Sequence, residues 1–97
     1  MRSILQRFAD WYLAQCDGEW EHGYGIRVQT IDNPGWSVSI NLSGTSLKAR
    51  PFPAIEDRFE DERDWLRCWK EETRFEARCD PGRLEDALTI FLDWAGA

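Results

Sequence analysis

YGIRVQTIDNPGWSVSINL, residues 24–42, is the stretch that decides the fold. Tyr24, Ile26, Val28 and Thr30 alternate with Gly25, Arg27 and Gln29. Trp36, Val38, Ile40 and Leu42 alternate with Ser37, Ser39 and Asn41. A period of two puts each series on one face of a strand. Between the runs, Asp32-Asn33-Pro34-Gly35 is turn chemistry, since proline presets φ near about −65° and glycine accepts a positive φ. The stretch predicts two strands, 24–32 and 36–42, closed as a hairpin.

Upstream, Ile4, Leu5, Phe8, Trp11, Tyr12 and Gln15 follow helical spacing. With Ser3 as N-cap and Gly18 at the exit, they predict a helix over 3–15. Downstream, SGTSLKARPFP (43–53) is a loop, because Pro51 and Pro53 cannot donate to a ladder. Strand-like pieces follow at 54–60, 65–71 and 74–79, the last two joined by a turn at Glu71-Glu72-Thr73. Leu84, Ala87, Leu88, Phe91 and Leu92 predict a closing helix over 81–94, with Asp80 as N-cap, Pro81 in the first helical position and Gly96 as terminator. Sequential hairpins imply an α+β fold: an antiparallel sheet of four to five strands, with N-terminal and C-terminal helices packed on one face. The 97 residues suffice for a single domain, 1–97, and leave no room for two cores.

Composition narrows the function classes. Eighteen acidic against 12 basic side chains give a net charge of -6, which argues against nucleic acid and against an anionic membrane surface and favours a basic partner. The first 15 residues carry Asp10 and turn amphipathic, unlike a secretory signal, and no apolar run approaches the roughly 20 residues that span a bilayer. The three cysteines, Cys16, Cys68 and Cys79, are odd in number and widely spaced, which points to reduced thiols in a cytoplasmic protein.

Each candidate for chemistry meets an objection. Cys68 to Arg74 has C-x5-R spacing, but Glu71 and Glu72 would repel an anion there, and the strand alternation places Cys68 as a structural residue beside Leu66. Cys16 and His22 flank Asp17, Glu19 and Glu21, whose charges raise a thiol pKa, and His22 is the sole histidine. No two ligands have zinc-type spacing, so neither metal nor cofactor is expected. Glu19 with Glu21, and Glu60 with Glu62, lack any motif that would make them acid/base pairs. No catalytic residue is assigned, and the chain is expected not to be an enzyme.

The segment CDGEWEHGYG, residues 16–25, differs in kind. A ring between two glutamates suits recognition: Trp20 as anchor, with Asp17, Glu19, Glu21 and His22 around it for the cations of a partner. The alternative is that Trp20 folds back onto the sheet. Asp32 and Asn33 in the turn, and Glu60, Asp61 and Glu62 in the acidic stretch 56–64, complete the expected partner-binding set.

Trp11-Tyr12, Gln15-Cys16-Asp17-Gly18-Glu19-Trp20-Glu21-His22, Tyr24-Gly25-Ile26 and Ile31-Asp32-Asn33-Pro34-Gly35-Trp36 resemble the immunity protein 53 family. Asp64-Trp65-Leu66-Arg67-Cys68, Phe75-Glu76, Asp80-Pro81 and Phe91-Leu92-Asp93-Trp94 continue the likeness, which runs from about residue 4 to 94. Cys79 stands where a small residue such as glycine would be expected, and Pro51 and Pro53 are peculiar to this chain. The resemblance implies a cytoplasmic antitoxin of a bacterial polymorphic toxin system, which binds a cognate toxin domain, often a nuclease, and blocks its active site. It brings no catalytic residues. Two other classes stay open: a small thiol-dependent enzyme, which would show a lowered thiol pKa, and a small-ligand binding domain, which would show a deep apolar pocket with convergent polar groups.

Overall fold

The computed structural model describes residues 2–57 and 63–97. The elements run α1 (Ile4–Gln15), α2 (Trp20–Gly23), β1 (Ile26–Ile31), β2 (Gly35–Asn41), β3 (Ile55–Asp57), β4 (Leu66–Glu71), β5 (Arg74–Cys79) and, after a 3-10 turn over Pro81–Arg83, α3 (Leu84–Ala95). The five strands form one antiparallel sheet in the order β1-β2-β5-β4-β3. The α+β class and the two flanking helices are as the periodicities predict. The expected strand over 54–60 is seen as β3, and its remainder lies outside the described residues.

Helix α1 starts as Ser3 requires: the Ser3 hydroxyl accepts from the Gln6 N–H, and the Gln6 side chain accepts from the Ser3 N–H. Helix α3 ends on Gly96 at φ 76°, in the left-handed region, so that its N–H reaches back to Asp93 and Leu92. Asp80 departs from expectation. Its side chain makes no cap bond; its backbone carbonyl instead accepts from Arg83 and closes the 3-10 turn that precedes α3.

Register sorts the two sheet faces. Val38, Ile40, Phe75, Ala77, Cys79, Leu66 and Cys68 point to the helices and are buried. Phe91 of α3 binds the layers together. Its ring lies 4.9 Å from Trp11, 5.1 Å from Phe75 and 6.3 Å from Phe8, bringing α1, α3 and the sheet into one aromatic cluster. The margin at β1 receives less cover, and Val28 is exposed. Among the described residues, no long helix covers the opposite face. Its cross-strand rows read Gln29–Ser37–Arg78–Arg67–Glu56, then Arg27–Ser39–Glu76–Trp69, then Gly25–Asn41–Arg74–Glu71.

Gly35 is placed by crowding rather than by conformation. It is absent from the positive-φ glycines, so the expectation that it turns the hairpin through the left-handed region does not hold. The turn is made by Asp32–Pro34 across a cis Asn33–Pro34 bond, and Gly35 already belongs to β2. A Cβ at Gly35 would stand 2.3 Å from the Cys79 carbonyl oxygen, a backbone atom of the neighbouring strand. Gly35→Ala is therefore expected to cost about 1–3 kcal/mol by forcing β2 and β5 apart, read as a lower denaturant midpoint. An unchanged midpoint would show that the strand ends separate freely.

Candidate functional site

The segment between α1 and β1 is built on two carboxylates that bind backbone. Asp17 Oδ1 accepts from the N–H groups of Glu19 and Trp20, at 2.9 and 3.0 Å. Glu21 returns the arrangement, its two oxygens accepting from Asp17 and Gly18 at 3.0 and 2.9 Å. This reciprocal capping fixes the short helix α2. These bonds favour the charged forms. The Trp20 and Glu19 N–H groups hold Asp17 below its ordinary 3.8, and backbone N–H groups, its own first and then those of Asp17 and Gly18, hold Glu21 below 4.5. Groups lowered on folding stabilise fully above their unfolded values, and that contribution is lost as pH falls through the lower folded ones. Acid should thus loosen this segment: NMR shifts of the Glu19 and Trp20 amides should move only below about pH 4. Movement of both amides near neutral pH would contradict the capping.

Trp20 is not presented to solvent. It is 3% exposed, packed 5.8 Å from the Trp11 ring and 5.8 Å from Tyr12. Among the described residues, its Nε1 has no hydrogen-bond partner. The anchor expected at the surface is the floor of the loop. A helical turn rotates successive side chains by about 100°, so Glu19 and Glu21 leave the core while the residue between them enters it. The ring that is exposed nearby is Tyr24, 52% accessible, with Tyr12 at 39%. Extending the strand alternation back to Tyr24 fails because Gly25, at φ 110°, turns the chain between them. The glycines on either side were the signal that Tyr24 stands outside the strand.

The other expected residues divide. Asp32 and Asn33 are exposed in the β1–β2 turn, at the opposite end of β1 from the 17–22 loop. Six residues of strand set them about 20 Å apart. Asp57 falls at the same end of the sheet as Asp32, in the row Thr30–Trp36–Cys79–Leu66–Asp57. There Arg83 gathers the carboxylates, 2.7 Å from Asp86, 3.0 Å from Asp57 and 3.9 Å from Asp64. Glu60, Asp61 and Glu62 lie outside the described residues. The structure thus joins Asp17, Glu19, Glu21 and His22 in one loop and separates them from the turn at Asp32.

The thiols are poorly suited to attack. Burial pushes Cys68 up to about 12 and Cys79 up to about 11. Cys68 faces the core while Arg74 lies on the opposite face at the far end of the hairpin, so the C-x5-R spacing forms no anion loop. The Cys16 thiol donates to the Tyr12 carbonyl at 3.3 Å. A disulfide-exchange reagent should consume one thiol, Cys16, in the folded protein and all three after unfolding; rapid reaction of Cys68 in the folded state would reopen the thiol-enzyme class. Among the described residues, no group of three or more His, Cys, Asp and Glu side chains is placed to hold a metal ion. An apolar groove of about 410 Å³ beside Ile4, Leu5, Leu84 and Leu88 has Glu85 as its one ionisable lining residue, not the convergent polar set that orients a small ligand. No described helix is long and apolar enough to cross a membrane.

Comparison with known families matches residues 5–96 to immunity protein 53. The chain belongs to the immunity protein 53 family. Neither a curated protein nor a solved structure matches it. Membership of the immunity protein 53 family covers nearly the whole chain, loop 17–22 and every strand included, and it supports an immunity function.

Proposed function

We propose that this protein is a cytoplasmic immunity protein of a polymorphic toxin system, which binds a cognate toxin domain and masks its active site. The observation that carries the proposal is the family match over residues 5–96. The 17–24 loop supplies the recognition surface. Asp17 and Glu21 keep their charge while holding the backbone in place, and Glu19 and His22 are exposed beside them. Tyr24 provides an accessible ring of the type that dominates interface energetics. A preformed loop loses little conformational freedom on binding. Its three carboxylates suit a basic toxin surface such as the phosphate-binding face of a nuclease, and the net charge of -6 steers the encounter. Asp32, with Asp57 and Asp64 at the same end of the sheet, forms a separate surface, which serves long-range attraction.

The test is association kinetics with a cognate toxin domain. Glu19→Ala should slow association at low salt, with the difference shrinking as salt rises. Tyr24→Ala should raise Kd by at least about tenfold with an unchanged melting temperature. Association that ignores both substitutions, alongside a loss on Asp32→Ala, would move the interface to the far end of the sheet.

A further inference from the structure

The uncovered sheet face holds a second recognition element, of opposite charge to the loop beside it. A cleft of about 260 Å³ is lined by Gly23, Tyr24, Gly25, Arg27, Ser39, Asn41 and Arg74. Arg27 and Asn41 reach it from β1 and β2, and Arg74 from β5. The Asn41 carbonyl oxygen accepts from the Ser43 N–H, which leaves its NH₂ group to donate. Ser39 donates to Glu76 at 2.6 Å, and Glu76 takes its nearer cation from Arg78, at 3.2 Å, with Arg74 at 3.8 Å. Glu76 thus offsets part of the Arg74 charge at the cleft wall, with Arg78 as its nearer cation. Among the described residues, the Arg27 side chain makes no hydrogen bond or ion pair, while its backbone pairs with Ser39 in the β1–β2 ladder. Two guanidinium groups and an amide thus line one polar depression, with Glu76 3.8 Å from Arg74 and no carboxylate paired with Arg27 among the described residues.

We propose that this cleft receives a single carboxylate side chain, flanked by neutral or basic residues, from the partner protein, a proposal that rests on the toxin-binding function above. The surroundings select a protein over a nucleic acid. Glu71 lies beside Arg74 in the same cross-strand row, and the carboxylate-bearing loop leads directly into Gly23. A continuous phosphate backbone would have to cross both, whereas one carboxylate set among neutral or basic neighbours meets only the two arginines. Bidentate geometry favours the same occupant, because each guanidinium offers a planar pair of donors to a carboxylate. The cleft shares Tyr24 with the loop, so one partner covers both. A negative loop beside a positive cleft makes a two-signed surface that rejects partners of uniform charge.

Two measurements decide it. In the first, the toxin domain is titrated against Arg27→Glu with Arg74→Glu, against Arg27→Gln with Arg74→Gln, and against a control carrying the same charge change elsewhere, Arg2→Glu with Lys48→Glu. The cleft reversal should raise Kd by at least about tenfold and the neutral pair by less, with folding intact by melting temperature, and the control should stay within about threefold. Equal effects of cleft reversal and control would overturn the proposal while leaving toxin binding standing. Should the cleft reversal unfold the domain, the neutral pair decides on the same criterion. In the second, the parent protein is titrated by NMR with a short peptide carrying one glutamate among glycines and serines and, separately, with a single-stranded oligothymidylate. Peptide-induced shifts confined to Arg27, Asn41, Arg74 and Tyr24 support the proposal even if the toxin itself does not bind, a result that would remove only the immunity function. No shifts at these residues, or tighter binding of the oligonucleotide there, would overturn it.

Discussion

Replacing Trp20 with alanine is expected to unfold the domain rather than to weaken a complex. The indole is 3% exposed and packs against Trp11 and Tyr12, so its removal leaves a cavity beneath the loop as well as losing transfer free energy. The cost should be about 3–5 kcal/mol, a large part of the roughly 5–15 kcal/mol by which a domain of this size is stable. Trp20→Phe sharpens the test. It keeps a ring in the site and deletes Nε1, the buried donor without a partner. An unsatisfied buried donor costs about 1–3 kcal/mol, so its loss offsets part of the smaller ring, and the variant should fall within about 1.5 kcal/mol of the parent. Chemical denaturation of the three proteins measures both. A Trp20→Ala protein that melts like the parent but no longer binds toxin would return the indole to the interface.

Phe91→Ala is the other large loss expected, again about 3–5 kcal/mol. This ring alone touches α1 through Phe8 and Trp11, the sheet through Phe75, and its own helix through Trp94. Its edge-to-face contacts with Phe8 and Trp11 add to the area it buries. At about 4 °C or more per kcal/mol for a domain near 100 residues, the melting temperature should drop by at least about 12 °C. A loss below about 1 kcal/mol would mean that the helices do not share a core with the sheet.

The parts of the fold legible in the sequence are those with a local period. Ile4 to Gln15 and Leu84 to Leu92 carry a helical stripe, and Trp36 to Leu42 a strand alternation, so α1, α3 and the first hairpin follow from spacing alone. Strand order was not legible. Both hairpins, β1-β2 and β4-β5, are local, but the pairing of β2 with β5 joins residues some 40 positions apart and has no signature in either segment. The 17–22 segment was legible as a connection between α1 and β1, but the orientation of Trp20 within it was not. Asp17 and Glu21 look like surface charge until their spacing is seen to cap a single turn, and Trp20, flanked by acids, looks exposed until that turn rotates it inward. The cleft on the open face was missed because Arg27 and Arg74 belong to the polar phase of their strands, which ordinarily only faces water. They share a site because β2, carrying Ser39 and Asn41, runs between them.

The proposed masking of a toxin's active site is read most directly as toxin activity against added protein. The purified toxin domain is assayed on its own substrate while the folded protein is titrated in. Activity should fall to background at one equivalent, and Tyr24→Ala should require a higher concentration to reach the same level. Full toxin activity in the presence of saturating, folded protein would contradict the account.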